Sequence, residues 1–402
     1  MTRLTGQDWL TAPATRSVVA ALEAAGGAGC ARFVGGCVRN ALMGRPIDDI
    51  DIATTLKPEQ TEAAIRAAGL KAVPTGIAHG TVTAVAARQP FEITTLRRDV
   101  TTDGRNATVA FTDDWAEDAA RRDFRLNALY ADGDGQVFDP TGQGVDDAAA
   151  GRIVFVGDPH TRIREDYLRI LRFFRFFAWY GHGEPDGAGL AACRDLAAGM
   201  SRLSAERVSK ELMKLLAAGD PRRAMVAMQA AGVLAQVLPE AEGLACFNAA
   251  VGLSDDPVLR LMALLPTDAD VRRAASARLR LPNATRDRLV AAALAAPAVS
   301  PAMTAQEARA AVYRHRGQAV ADALRRAQAD AGGDAGAVLA IAETWTPPRL
   351  PVGGKDLARL GVAPGPETGR LLKAFEDRWI ADDFPDDDPA ERLSALVRAS
   401  RG

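Results

Sequence analysis

Residues 35–54 read Gly35-Gly36-Cys37-Val38-Arg39-Asn40-Ala41-Leu42-Met43-Gly44-Arg45-Pro46-Ile47-Asp48-Asp49-Ile50-Asp51-Ile52-Ala53-Thr54. The apolar run Ala31, Phe33 and Val34 just before predicts a strand that ends at the glycine pair, where a helix begins. Gly44-Arg45-Pro46 then turns the chain into a second strand. Glycine lets backbone amides approach phosphate oxygens, and a helix N-terminus favours an anion. Side chains on a strand alternate faces, so Asp49 and Asp51 share one face with Ile50 on the other. Magnesium is commonly held by one or two carboxylates plus substrate phosphate oxygens, and paired ions clamp the attacking and leaving oxygens of a phosphoryl displacement. The stretch therefore points to nucleotidyl transfer rather than to a plain acidic strand end. Arg39, one turn into the helix, reaches the same phosphates or is an ordinary solvated arginine.

Working outward, strand-like runs at 32–34, 49–53, 81–86, 91–96, 128–131 and 136–139 alternate with helices up to about residue 150. Beyond about 160 the apolar spacing is helical throughout, at 161–180, 205–218, 221–235, 286–296, 304–316 and 317–330. This segregation predicts an α+β chain with a mixed-sheet head followed by all-helical segments. The break Thr346-Pro347-Pro348-Arg349-Leu350-Pro351 marks a boundary before the last segment. With 402 residues, 48% of them hydrophobic, the chain can build a sizeable core. A net charge of −2 excludes a polybasic protein, so any nucleic acid must meet a local patch. Cys30, Cys37, Cys193 and Cys246 form no C-x-x-C pair and read as free thiols in a reducing compartment. With no apolar leader or membrane-length stretch, the expectation is a soluble, cytoplasmic protein with no membrane partner.

Four further groups carry chemistry. In Pro90 to Asp99, Glu92 faces the same way as Thr94 and is either a third carboxylate beside Asp51 or an edge glutamate. His79, between glycine turns and without a second ligand nearby, reads as structural. Arg121, Arg122 and Asp123 combine phosphate-type donors with an acceptor for a ribose hydroxyl, or form a surface ion-pair cluster. In residues 162–177, Asp166, Arg169, Arg172 and Arg175 recur every third residue on one helical stripe among Leu168, Ile170, Leu171, Phe173, Phe174 and Phe177. Asp166 with Arg169 presents an acceptor beside a donor. The Watson–Crick edges of C and A offer an amine donor beside a ring-nitrogen acceptor, whereas U and G put a carbonyl in place of that amine. The pair can therefore admit CTP and ATP and reject UTP and GTP, or it is an i,i+3 ion pair.

These segments, with Asp139-Pro140-Thr141-Gly142, Glu165-Asp166-x-x-Arg169 and Ser204-x-Glu206-Arg207-Val208-x-x-Glu211-Leu212, resemble class II tRNA nucleotidyltransferases, the CCA-adding and bacterial poly(A) polymerase family. The likeness spans most of 30–218. The stretch from Pro351-Val352-Gly353-Gly354-Lys355 also resembles the tail of bacterial CCA-adding enzymes. It implies a head over 1–150, a neck over 151–220 with the base-reading motif, a body over 221–345 and a tRNA-contacting tail over 346–402. Gly35, Gly36 and Arg39 would hold the triphosphate, and Asp49 and Asp51 two Mg2+ ions. Asp123 would sense the ribose, with Arg121 or Arg122 on phosphate; Arg172 and Arg175 would contact nucleotide phosphate. Asp166 and Arg169 would read the base, and Glu206 and Arg207 brace the neck. Asn40 stands where aspartate is more usual, and Tyr167 where proline is. The implied reaction is addition of C, C and A to the 3′ end of tRNA from CTP and ATP.

Poly(A) polymerase shares the head motifs but commonly adds basic stretches after the metal aspartates and at the C-terminus. Here 54–62 is almost free of positive charge and 382–388 is acidic, which favours CCA addition. Addition of only the cytidines or only the adenosine fits the same motifs. A non-catalytic RNA-binding protein is disfavoured by the retained aspartates. A small-molecule nucleotidyltransferase is disfavoured by Arg272, Arg273, Arg278, Arg280, Arg286 and Arg288, which suit a tRNA arm or form an exposed arginine-rich face.

Overall fold

The structure, a computed structural model, describes residues 2–77, 80–103 and 106–401, so His79 lies outside the described residues. The chain forms two compact units, Met1–Pro239 and Glu240–Gly402. Among the described residues, no helix is long and apolar enough to cross a membrane.

The first unit opens with helices α1 (Asp8–Thr11) and α2 (Pro13–Gly26), followed by strand β1 (Ala31–Val34) and helix α3 (Gly36–Leu42). β2 (Asp51–Thr54), α4 (Pro58–Ala67), β3 (Lys71–Gly76), β4 (Thr81–Ala86) and β5 (Gln89–Thr95) follow. Next come the β6 (Arg97–Asp103)/β7 (Asn106–Phe111) hairpin, α5 (Trp115–Ala120), β8 (Tyr130–Ala131), β9 (Val137–Phe138) and α6 (Gly144–Ala150). The main sheet has the order β3-β4-β5-β2-β1-β8-β9. β2 and β5 run parallel, and every other pairing in this sheet is antiparallel. This is the mixed sheet expected.

Alternation explains which face is covered. β4, Thr-Val-Thr-Ala-Val-Ala, buries Val82, Ala84 and Ala86 and leaves Thr81, Thr83 and Val85 half-buried. With Phe91 and Ile93 of β5, those residues meet α2 and α4, whose Val18, Leu22 and Ile65 are fully buried. On the opposite face Ala53, Val34, Leu96, Ala119 and Tyr130 form a second cluster under α5. Arg32 points to that side and is sandwiched between the rings of Trp115 and Phe138, at 4.2 and 3.8 Å.

Several boundaries differ from the sequence reading. Asp49 precedes β2, which starts at Asp51. The predicted helix over 161–180 is two helices, α7 (Pro159–Glu165) and α8 (Leu168–Tyr180). Asp166 between them is extended, with φ −154° and ψ 106°, and its carboxylate accepts from the Leu168 amide at 3.1 Å. A side-chain acceptor at this position competes with continued helix and starts a new one. Asp166 therefore leaves the expected stripe, which holds only for Arg169, Arg172 and Arg175. α9 (Gly187–Asp195), α10 (Ala205–Leu216), α11 (Arg222–Ala230) and α12 (Val233–Val237) complete the unit. The expected 221–235 helix splits at Gly232, which has φ +69°. α11 packs on α8, and the first unit runs to Pro239.

The second unit is all helical, with an alanine-rich core around Val312, Val320 and Leu324 and another around Leu357, Phe375, Trp379 and Leu393. Its arginine crowd divides: Arg273, Arg280 and Arg286 line one cavity, while Arg272 and Arg288 are structural. Arg272 is buried and donates to the carbonyls of Pro266 and Leu289 at 2.9 and 3.1 Å, while burial pushes its guanidinium down to about 10. Arg288 is tied to the buried Asp322 at 2.8 Å. Arg273, Arg278 and Arg286 are paired with Asp270, Glu240 and Asp287.

Candidate active site

The β1–α3 turn is set by Gly35, whose φ of +69° and ψ of −115° lie where a side chain is strained. It starts α3, whose Gly36 and Arg39 line, with Gly35, a cleft of about 570 Å3 in the first unit. The cleft gathers Gly35, Gly36, Arg39, Asp51, Arg121, Arg122, Asp123, Asp166, Arg169 and Arg172, ten of the residues singled out from sequence. Arg97, Asn127, Leu168, Phe176 and Arg207 also line it. Seven arginines (39, 97, 121, 122, 169, 172, 207) stand against three aspartates (51, 123, 166), so the cavity suits a polyanion although the whole chain is slightly acidic. Three residues from the sequence reading are absent from its lining: Asp49 and Glu92, both exposed, and Arg175.

Asp51 lies beside the first turn of α3, where the Cys37 thiol approaches its carbonyl at 3.7 Å. Asp51 opens β2 and pairs in parallel register with Glu92 of β5, so the two carboxylates lie on the same face. Burial, then the charges of Glu92 and Asp49, push the Asp51 carboxyl up to about 6. Among the described residues, no group of three or more His, Cys, Asp or Glu makes a ready-built metal cage.

Each arginine of the cleft has a distinct mount. Arg39 is buried, and its guanidinium donates to Asn127 Oδ1 at 2.6 Å, to Asn40 Oδ1 at 2.9 and 3.1 Å and to the Tyr180 hydroxyl at 2.8 Å. Arg121 and Arg122 both grip Asp118, one helical turn earlier, at 2.7 and 3.0 Å. The Tyr130 hydroxyl also donates to Asp118, at 2.7 Å. Burial alone would raise the Asp118 carboxyl; the Arg122 and Arg121 guanidiniums outweigh it and hold it at about 2.

Asp123 is likewise buried. It accepts from Arg172 Nε at 2.8 Å, Asn127 Nδ2 at 3.0 Å and the Phe124 amide at 2.9 Å. Its carboxyl is pushed up by burial and down, on balance to about 2, chiefly by Arg172. Arg172, read from sequence as a phosphate contact, is thus the counter-ion of Asp123. Arg175 turns to Glu211 of α10 at 2.5 Å and lies 4.4 Å from the Phe176 ring.

Asp166 and Arg169 do not pair with each other. Asp166 accepts from Arg207 of α10 at 2.6 Å, whereas Arg169 donates Nη1 to Glu165 at 2.6 Å and to the Arg162 carbonyl at 2.7 Å. The break before α8 separates the two, and each is braced from a different side. The Tyr167 ring fills the space over Gly199, where an added Cβ would overlap it. Sequence reasoning did not single out Asp118, Tyr130, Glu165, Asn127 or Tyr180 as partners. For Asp118 a signal existed, because it precedes Arg121 and Arg122 by three and four residues, the spacing at which helical side chains meet.

Residues 31–154 match the Poly A polymerase head domain, and residues 186–244 match the probable RNA and SrmB-binding site of polymerase A. The chain is 33% identical over 373 residues to the mitochondrial CCA tRNA nucleotidyltransferase 1 of Mus musculus, covering 87% of this chain and 82% of that protein. It is 40% identical over 215 residues to the CCA-adding enzyme of Streptococcus gordonii, about half of each chain. Superposition on the Bacillus stearothermophilus CCA-adding enzyme, solved in complex with CTP, gives a TM-score of 0.74 at 28% identity, over 97% of this chain and 98% of that one. With its mixed-sheet head, its arginine-lined cleft and these relatives, the chain belongs to the tRNA nucleotidyltransferase and poly(A) polymerase family.

Proposed function

We propose that the chain completes tRNA by adding C, C and A to its 3′ end from CTP and ATP, with release of pyrophosphate. The observation that carries this reading is the single cleft in which a surplus of arginines faces Asp51 while Asp166 and Arg169 stand at its α7–α8 wall. Arg39, Arg121 and Arg122 would hold the triphosphate, and Asp123, kept ionised by Arg172, would accept from a ribose hydroxyl. Asp166 would accept from the exocyclic amine of C or A. Arg169 spends Nη1 on Glu165 and the Arg162 carbonyl, which leaves its other nitrogens for the ring-nitrogen acceptor. A carbonyl in place of the amine would oppose two acceptors, which is why U and G would be rejected.

The carboxylates fit divalent cations. Asp49, Asp51 and Glu92 crowd negative charge near one strand end, and burial keeps the Asp51 carboxyl raised, a strain that a cation relieves. Without a three-ligand protein cage, Asp49 and Asp51 would share two Mg2+ ions with substrate phosphate oxygens. Such ions, when bound, activate the attacking hydroxyl and neutralise charge on the leaving group. The buried, unbridged cysteines support a reducing compartment such as the cytoplasm.

The test is incubation of the purified chain with tRNA lacking its 3′ end, CTP and ATP singly and together, and sequencing of the products. CCA termini are expected. Long adenosine runs would instead mark a poly(A) polymerase, arrest after two cytidines a partial enzyme, and RNA binding without incorporation a non-catalytic protein.

A further inference from the structure

Arg39 is a buried guanidinium whose hydrogen-bond partners are all neutral: Asn40, Asn127 and Tyr180. Two other arginines are differently placed, Arg172 of the cleft against Asp123 and Arg175, outside its lining, against Glu211. A charge held by neutral acceptors keeps its full field for an incoming anion, whereas one bonded to a carboxylate is largely spent. The residue after this arginine is Asn40, whose Oδ1 accepts from Nε and Nη2 without adding charge.

The third neutral partner comes from outside α3. Tyr180 is the last residue of α8. Its hydroxyl accepts from Arg39 Nη2 at 2.8 Å, and its ring face lies 4.0 Å from the guanidinium carbon. The ring also lies 4.9 Å from Arg45, in the turn after α3, and packs at 5.5 Å on Phe176, a cleft-lining residue. Hydrogen bond and ring face together fix both the position and the plane of the Arg39 fork. A peripheral tyrosine of purely structural use has no need to meet a cleft arginine in both ways.

We infer that Tyr180 is a positioning residue for the triphosphate: it holds Arg39 in register in the cleft and ties the phosphate-binding helix α3 to α8, the helix whose first turn carries the base-reading Arg169. This rests on the proposed reaction and adds to it a residue 141 positions from Arg39, outside every motif that carried the resemblance. Because the contact serves the phosphates, which CTP and ATP share, its loss should affect both nucleotides equally and leave base choice alone.

The variants are Tyr180→Phe, which keeps the ring and removes the hydroxyl, Tyr180→Leu, which removes both, and Arg39→Lys as reference. Steady-state incorporation on tRNA lacking its 3′ end is measured with CTP or ATP varied, then with tRNA varied. Inorganic pyrophosphate binding is measured separately by calorimetry, with no turnover involved. Tyr180→Phe should raise KM for CTP and ATP together by about 3-fold to 10-fold, of the order of one ordinary hydrogen bond, since the ring contact remains, and weaken pyrophosphate to a similar extent. kcat, KM for tRNA and the fraction of UTP misincorporated should stay within about 2-fold. Tyr180→Leu should lose more, and Tyr180→Phe added to Arg39→Lys should cost nothing further. Unchanged nucleotide KM and pyrophosphate affinity in Tyr180→Phe overturn the inference, as does an equal rise in KM for tRNA, which would mark general damage. If wild type binds pyrophosphate in a Tyr180-dependent way yet incorporates nothing, the positioning role stands and the proposed reaction falls.

Discussion

Asp51→Asn should destroy incorporation and, in the absence of metal, make the protein more stable. The Asp51 carboxyl is raised from 3.8 to about 6 by burial, then by Glu92 and Asp49. An acid whose folded-state pKa lies above its unfolded value costs stability wherever the folded group is ionised. The penalty is complete above about pH 6 and vanishes below 3.8. At about 1.4 kcal/mol per pK unit the shift amounts to about 3 kcal/mol at pH 7.5 and about 1 kcal/mol at pH 4.5. Crediting the half-exposed side of the carboxylate with solvent screening roughly halves both figures. Thermal unfolding in EDTA should therefore place Asp51→Asn above wild type at pH 7.5, with the gap closing towards pH 4.5. Glu92→Gln should recover a smaller part of the same gain. Added MgCl2 with CTP should reverse the order, because only wild type binds it productively, and a ligand at about 100 times its Kd adds about 2.7 kcal/mol. A variant no more stable than wild type at pH 7.5, or equally stabilised at both pH values, would refute the electrostatic account. Retained incorporation would refute the metal role.

Asp166→Ala or Arg169→Ala should relax base choice, seen as labelled UTP or GTP entering the product; unchanged discrimination removes the base-reading assignment. Arg207→Met should reproduce the Asp166 defect with Asp166 intact, since Arg207 holds that carboxylate at 2.6 Å. Asp118→Asn should strip the counter-ion from Arg121 and Arg122, costing about 3 kcal/mol in unfolding free energy as a broken buried ion pair. Because the Asp118 carboxyl is held at about 2, its contribution is present above 3.8 and lost as pH falls through 2. The variant and wild type should therefore converge in unfolding curves at the acid end. Gly35→Ala should lower stability by about 1 kcal/mol through its φ of +69° and raise KM for both nucleotides.

Legibility in the sequence followed locality. β4 was found residue for residue because Thr-Val-Thr-Ala-Val-Ala alternates without interruption. β3 was not, because Lys71-Ala72-Val73-Pro74-Thr75-Gly76 carries a proline and a glycine, tolerated only because it is the edge strand. The β6 strand, Arg97-Arg98-Asp99-Val100-Thr101-Thr102-Asp103, is too polar to show a core face. Within the cleft the residue types were legible and their partners were not. Arg172 meets Asp123 across 49 positions and Arg207 meets Asp166 across 41, distances over which helical spacing says nothing. The helix break at Asp166 was hidden by the strong apolar period on either side of it, which carries across a single extended residue.

That break mounts the two groups proposed to read the base like the jaws of a caliper that share one hinge. Asp166 is anchored to α10 and Arg169 to the end of α7, with the Tyr167 ring wedged against Gly199 between them. Asp166 also accepts from the Leu168 amide at the start of α8, so a tilt of α10 would pull on Asp166 through Arg207 while Arg169 keeps its own bonds to α7. If these two groups read the base, the lean of α10 against α8 would set the spacing between them.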